Sequence, residues 1–135
     1  MITAVDSSVL LDVLTDAPTL AAVSLEALRR ARRSGSIVAC PVVWAEVRAC
    51  FADVGQMNRA FASAGIAFDP FDLDSANLAG AMWQLYRRQG GRRTRLVADF
   101  LIGAHAQLRA QRLLTRDRGF FRRYFDALEV IEPSE

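Results

Sequence analysis

Two aspartates, Asp6 and Asp117, each follow a short apolar run and precede a helical pattern. The runs are residues 2–5 and 112–115. If both runs are parallel β-strands, their carboxyl ends lie at one edge of a sheet, where α/β proteins bind ligands. Carboxylate oxygens gathered at such an edge suit Mg²⁺ or Mn²⁺. The two aspartates therefore predict a divalent-cation site, provided that other carboxylates converge on them.

Glu46 and Asp99 occupy positions where the helical pattern favours apolar residues. The helical neighbours of Glu46 are all apolar or small: Val42, Val43, Ala49 and Cys50. Asp99 has Leu96 and Ile102 on its face, with Arg95 one turn earlier. Residues at these spacings share a helix face, so both carboxylates are predicted to point with the buried stripe. Burying an unpaired charge is costly, so a cation or an arginine is expected to offset it.

Each of these acids also has a purely structural interpretation. Asp6 and Asp117 could be helix N-caps. Glu46 could turn into solvent, and Asp99 could pair with Arg95. All four structural interpretations must hold together to explain the pattern, and this coincidence favours a shared cation site.

Strand patterns alternate with helical patterns along the chain. Strands are predicted at 2–5, 36–40, 66–68, 112–115 and 128–131. Helices are predicted at about 7–14, 18–34, 41–53, 57–65, 72–89, 96–108 and 120–125, with Gly55 as a break and Asp72 or Asp74 as a cap. This alternation predicts an α/β fold with a mainly parallel sheet covered on both faces. Residues 1–135 are interpreted as a single domain because no linker or repeat interrupts them.

The composition excludes several classes of protein. Apolar residues make up 52% of the chain, too many for a disordered protein, and no apolar run approaches the ~20 residues of a membrane span. All 17 basic residues are arginine, which excludes a P-loop and disfavours haloacid-dehalogenase-like phosphatases and receiver domains, since all require a lysine. Cys40 and Cys50 fit neither a disulfide framework nor a zinc spacing. With no signal peptide recognisable, we expect a cytoplasmic protein.

The remaining polar residues are predicted to be structural. His105 is the only histidine, so a histidine-based triad has little to build on. The other aspartates are predicted to be surface, cap or turn residues: Asp12, Asp53, Asp69, Asp72, Asp74 and Asp126. The net charge of +2 is a modest argument for a polyanionic partner. Arg116 and Arg118, which flank Asp117, are the candidates for contact with a phosphate.

Four segments resemble the motifs of PIN-domain ribonucleases, and among these the VapC-type toxins of toxin–antitoxin pairs. The segments are VDSSVL at 5–10, VWAEV at 43–47, VADFLIGAHA at 97–106 and LLTRDRGF at 113–120. Each motif alone has low specificity. Together they occur in the family's order at sensible spacings, and the resemblance extends over essentially the whole chain.

The resemblance implies a PIN-like three-layer α/β/α sandwich, a homodimer and a cognate VapB-type antitoxin. It also implies Mg²⁺-dependent cleavage of structured RNA, often tRNA or rRNA, with Mn²⁺ as a substitute. On this interpretation Asp6, Glu46, Asp99 and Asp117 are the catalytic residues, and Asp6 and Asp99 hold the metal. Ser8 and Thr115 are candidate hydroxyls for orienting the acids. The alternative is a PIN-like module that binds RNA or protein without cutting.

Overall fold

A five-stranded sheet forms the centre of the computed structural model, which describes residues 1–92 and 97–134. Its strands are β1 (Ile2–Val5), β2 (Ser36–Ala39), β3 (Ile66–Phe68), β4 (Arg112–Leu114) and β5 (Glu129–Ile131). Their order is β3-β2-β1-β4-β5, and every pairing is parallel. The predicted parallel sheet is therefore confirmed.

Helices surround this sheet, as the alternating pattern predicts. They are α1 (Ser7–Leu14), α2 (Leu20–Ser34), α3 (Pro41–Arg48), α4 (Val54–Ala64), α5 (Leu73–Arg88), α6 (Val97–Arg109) and α7 (Arg118–Tyr124). The consecutive β1 residues Thr3, Ala4 and Val5 are 0%, 3% and 1% exposed. Because successive strand residues point to opposite faces, both faces are covered, in agreement with an α/β/α sandwich. In the described part of the chain, no helix has the length and apolarity needed to cross a membrane.

The prediction is wrong around the junction of α3 and α4. The helix predicted at 41–53 ends at Arg48, and α4 begins at Val54 and runs through Gly55. Asp53 explains the early start, since its carboxylate accepts a hydrogen bond of 2.9 Å from the Gln56 amide. An N-cap of this kind contributes about 1 kcal/mol, which offsets the roughly 1 kcal/mol cost of a helical glycine. The predicted cap at Asp72 is confirmed by its 2.8 Å bond from the Ser75 amide.

Strand β1 lies at the centre of the sheet, although it comes first in the sequence. It pairs on one side with β2 and on the other with β4, with Val5 opposite Leu114. The Asp6 amide continues this ladder by donating to the Leu114 carbonyl at 2.9 Å. The sheet order therefore brings the ends of β1 and β4, which lie far apart in the sequence, next to each other.

Aromatic packing fixes the beginning of α6. Phe100 is 0% exposed, and its ring centroid lies 5.2 Å from that of Phe120 and 5.6 Å from that of Tyr124. One turn later, Gly103 faces Phe125 so closely that a Cβ atom would lie 2.3 Å from the ring. These contacts hold α6 against α7 and set the position of the helical turn that carries Asp99.

Candidate active site

Asp6 lies between β1 and α1 and is only 7% exposed. It occupies the N-cap position of α1 with an extended backbone, but its side chain makes no capping hydrogen bond. Asp117 likewise occupies the N-cap position of α7 without a side-chain cap bond. The N-cap interpretation of these two carboxylates is therefore wrong, because neither side chain caps its helix.

Two hydroxyl groups orient the Asp6 carboxylate. Thr115 Oγ1 donates to Asp6 Oδ2 at 2.7 Å, and Ser8 Oγ donates to the same oxygen at 3.1 Å. Thr115 Oγ1 also accepts a 3.0 Å hydrogen bond from the Asp117 amide. A single buried threonine thus links the carboxylate at the end of β1 to the backbone of Asp117 after β4. The predicted role of Ser8 and Thr115 in orienting an acid agrees with these contacts.

Glu46 is placed differently from its prediction. It lies on the exposed side of α3 rather than in the buried stripe with Val43 and Val47, and Ala49 and Cys50 after the helix are also exposed. Its carboxylate nevertheless turns toward the sheet edge, where Ser7 Oγ donates to Oε1 at 3.0 Å. The carboxyl end is thereby partly desolvated even though much of the residue surface remains in solvent.

The acidic groups at this edge influence one another. Partial burial raises the pKa of Glu46, and the negative charges of Asp6 and Asp99 raise it further, against the opposing effect of the Ser7 hydrogen bond. Burial, with smaller contributions from Asp6 and Glu46, raises the pKa of the nearby Cys40 thiol to about 11. The edge is a region of negative potential, in which protons and cations are favoured.

Asp99 and Asp117 complete the predicted set of acids. Asp99 is partly buried in the first turn of α6, and Asp117 is partly buried after β4. The structural alternative for Asp99, a pair with Arg95, lies outside the described residues. Asp6 and Asp117 are thus on neighbouring strand ends, with Glu46 and Asp99 close enough to interact electrostatically with each other.

The donor chemistry of this edge fits a hard divalent cation, because carboxylate oxygens are the preferred ligands of Mg²⁺ and Mn²⁺. The side chains do not form a ready-made cage. Within residues 1–92 and 97–134, no three acidic, histidine or cysteine side chains are already grouped as metal ligands. The fit therefore rests on the type of donors and on their mutual repulsion.

The sequence prediction is most clearly wrong about the burial of Asp12. It was predicted to lie at the surface or in a turn, but it is 4% exposed on α1. Both carboxylate oxygens contact Arg116: Nε lies 2.6 Å from Oδ2, and Nη2 lies 2.8 Å from Oδ1. Ser24 Oγ adds a 2.8 Å bond to Oδ2. The burial of Asp12 could have been predicted by the reasoning applied to Glu46, because Asp12 is a carboxylate inside the apolar run LLDVL.

The predicted phosphate-contacting arginines both have partners within the chain. Arg116 is bound to Asp12, and Arg118 Nε lies 3.4 Å from Glu132 Oε2. Each guanidinium is therefore already occupied by a carboxylate, which weakens the expectation that the pair contacts a phosphate.

A second polar cluster lies beside β3. Asp69 was predicted as a surface, cap or turn residue, but it accepts hydrogen bonds from His105 Nε2 at 2.8 Å and from Arg109 Nε at 2.7 Å. Arg109 also reaches Asp72 at 3.0 Å. Arg109 lowers the pKa of Asp69, and burial lowers the pKa of His105, which is 1% exposed. The predicted structural role of His105 agrees with these contacts.

Most of the chain matches a known protein family, and solved structures share its fold. The family model described as PIN domain matches residues 3–126. A VapBC2 chain from Rickettsia felis aligns with a TM-score of 0.75 at 16% identity, covering 99% of this chain and 100% of that one. A toxin–antitoxin complex chain from Klebsiella pneumoniae gives 0.70 at 20%, covering 98% of each. VapBC-1 from nontypeable Haemophilus influenzae gives 0.72 at 18%, covering 100% of each. No curated protein matches the chain.

Proposed function

The chain belongs to the PIN-domain family, and from that premise we propose that it is a VapC-type toxin that hydrolyses phosphodiester bonds of structured cellular RNA with Mg²⁺ or Mn²⁺. The observation that carries this proposal is the acidic sheet edge. Asp6 is buried there with two neutral hydroxyls as hydrogen-bond donors, while Glu46 and Asp99 lie within electrostatic reach of each other. A cation would relieve the repulsion among these carboxylates.

The acids divide into two roles in this proposal. Asp6 and Asp99 hold the principal cation, and Asp117 completes its surroundings directly or through water. Thr115 and Ser8 keep the Asp6 carboxylate in one orientation, as their 2.7 Å and 3.1 Å hydrogen bonds allow. A bound divalent cation supplies a more acidic water and stabilises negative charge on a phosphate oxygen.

Glu46 orients the attacking water or helps to hold a second ion. Its position supports this role, since the residue is open to solvent while its carboxylate is anchored by Ser7. The raised pKa of Glu46 makes it a better proton acceptor than an ordinary surface glutamate. It can accept a proton only when ionised, so cleavage is expected to decline as acidification protonates Glu46.

The partners of the proposed function follow from the relatives. The similar solved chains are described as VapBC or toxin–antitoxin complexes. By analogy, we propose that a cognate VapB-type antitoxin neutralises this chain, that the chain forms a homodimer, and that it acts in the cytoplasm. The RNA substrate is expected to be tRNA or rRNA.

The test compares two aspartates in equivalent helical positions. Asp99 lies in the first turn of α6, and Asp74 lies exposed in the first turn of α5. Total RNA is incubated with wild type, Asp99→Asn and Asp74→Asn, with Mn²⁺ or with a chelator. We expect discrete fragments from wild type and Asp74→Asn only when metal is present, and none from Asp99→Asn.

The outcomes separate the two candidate functions. Metal-dependent cleavage retained by a correctly folded Asp99→Asn protein would overturn the assignment of that residue. Retention of RNA without metal and without fragments would support the binding module instead. Mapping the 5′ ends of the fragments would then identify the RNA that is cut.

A further inference from the structure

We propose that Arg116 is a positioning residue whose two-point ion pair with buried Asp12 holds the turn between β4 and α7, and with it Thr115 and Asp117, beside Asp6. The inference rests on the proposed function for its consequence at the metal site, but not for its structural part. Arg116 thereby acts through its neighbours and not by contact with RNA.

One face of α1 binds Arg116 at two points. Ser8 and Asp12 are four positions apart on α1, so their side chains share a face. Ser8 Oγ accepts a 3.3 Å hydrogen bond from the Arg116 amide, and Asp12 binds the Arg116 guanidinium. Both the backbone and the side chain of Arg116 are therefore tied to the helix that starts directly after Asp6.

Arg116 lies between two residues of the candidate site. It stands between Thr115, which donates to Asp6, and Asp117, whose amide donates to Thr115. A shift of residue 116 would move both neighbours, since they are joined to it by single peptide units. Ser8 would feel the same shift, because it bonds both the Arg116 amide and the Asp6 carboxylate.

The ion pair joins a buried carboxylate to a partly exposed guanidinium. Asp12 is 4% exposed, whereas the Arg116 side chain is 39% exposed. Removing the partner of a buried charge is strongly destabilising, because the remaining charge is left in a poor solvent. The burial of Asp12 therefore favours the ion pair with Arg116 over separation of the two side chains. The guanidinium of Arg116 also compensates the negative charge of Asp12.

The test of the structural part is amide hydrogen exchange on the full chain. Asp12→Asn and Arg116→Met are expected to speed exchange of the Arg116 and Asp117 amides at least tenfold more than they speed exchange of the β1 and β2 amides, which report global destabilisation. The control is Glu26→Gln, which removes an acid that binds Arg33 at 3.0 Å on α2. If Asp12→Asn fails to fold, Arg116→Lys keeps the charge but loses the two-point contact. Unchanged exchange at 116 and 117 would overturn the inference.

The test of the functional consequence is calorimetric titration with Mn²⁺ well below the unfolding temperature. We expect each single variant to bind Mn²⁺ about tenfold more weakly, and the double variant to lose no more than the worse single one, since the pair acts as a unit. Glu26→Gln should bind as wild type. The positioning role would be overturned if a variant with faster exchange at residues 116 and 117 bound Mn²⁺ as wild type does. It would also be overturned if the double variant lost the sum of the two single losses in Mn²⁺ binding free energy.

An RNA-binding measurement separates positioning from direct contact. An arginine that touches a phosphate reduces the slope of log affinity against log salt by about 1 when it is removed. Arg116→Met is expected to keep the wild-type slope, and a reduced slope would overturn the inference. If wild type binds no Mn²⁺ and cuts no RNA, the proposed function has failed, and the exchange result still decides whether Arg116 holds the turn.

Discussion

Asp6 and Asp69 occupy equivalent positions, directly after β1 and β3 at the same edge of the sheet, but their surroundings differ. Asp6 receives hydrogen bonds from the neutral hydroxyls of Ser8 and Thr115, and its negative charge raises the pKa of Glu46. Asp69 receives hydrogen bonds from Arg109 and His105. The first carboxylate keeps its negative charge uncompensated by these donors, whereas the second is neutralised by a guanidinium of the chain itself.

On the proposed function, this difference separates a strand-end carboxylate that is available to a cation from one that forms an ion pair within the chain. Position at the sheet edge is common to both residues and does not distinguish them. The donors do: a cationic donor completes an internal ion pair, while neutral donors fix the orientation of a carboxylate without cancelling its charge. We therefore expect loss of Asp6 to affect cleavage and loss of Asp69 to affect stability.

The largest expected effect follows from Asp6→Asn, which keeps the shape and removes the charge. Cleavage of RNA should fall by a factor of about 10³ or more, equivalent to about 4 kcal/mol of activation free energy. The unfolding temperature should stay constant or rise, because repulsion with the neighbouring acids is relieved. Single-turnover cleavage and thermal unfolding measure the two quantities. A stable variant that still cuts RNA at the wild-type rate would remove the distinction between Asp6 and Asp69.

The converse variant is Asp69→Asn. It removes the charged partner of the buried His105 and one of the two carboxylates that bind Arg109, so the free energy of unfolding should fall by about 2 kcal/mol. At temperatures well below unfolding, the rate of cleavage should remain within about twofold of wild type. A tenfold loss would correspond to about 1.4 kcal/mol of activation free energy. Urea unfolding with an unchanged slope would measure the loss of stability. A large loss of cleavage with little loss of stability would contradict the structural role of Asp69.

A smaller effect is expected at the hydroxyl that orients Asp6. Thr115→Val should weaken Mn²⁺ binding by roughly 10- to 100-fold, the usual effect of losing a group that orients a ligand. Thr3→Val is the matched control, since Thr3 is also a fully buried threonine and accepts a 2.8 Å hydrogen bond from Arg112. Both variants should lose about 1 kcal/mol of stability. Equal Mn²⁺ affinities for Thr115→Val and Thr3→Val would show that Thr115 does not orient a metal ligand.

The smallest effect concerns pH and the neutral state of His105. Burial places its pKa below 6.5 in the folded chain, so the unfolded chain binds more protons as the pH falls below that value. Stability is therefore expected to be full above about pH 6.5 and to decrease as the pH falls toward the pKa of folded His105. In His105→Gln this part of the pH dependence should vanish, leaving the loss at lower pH from the Asp69 and Asp72 carboxylates. Urea midpoints between pH 4 and 8 provide the comparison, and an unchanged profile would contradict the assignment.

Local sequence rules were sufficient for the fold because its elements are set by nearby residues. Alternating apolar runs predicted every strand of the described sheet, and the caps at Asp53 and Asp72 act within three residues. The same rules gave the wrong environment for Asp12, because its partner Arg116 is 104 residues away. They also failed for the burial of Glu46, which lies on the exposed side of α3. The roles of the acids in catalysis remain predictions.

The central position of β1 has a consequence for how the protein is made. Its first neighbour, β2, follows within a few tens of residues, but its second neighbour, β4, begins only at Arg112. At roughly 5–20 residues per second of synthesis, one edge of β1 stays unpaired for roughly 5–20 seconds after β1 has left the ribosome. Thr115 and Asp117 arrive only after β4. A growing chain therefore cannot assemble the acidic edge until synthesis is nearly finished.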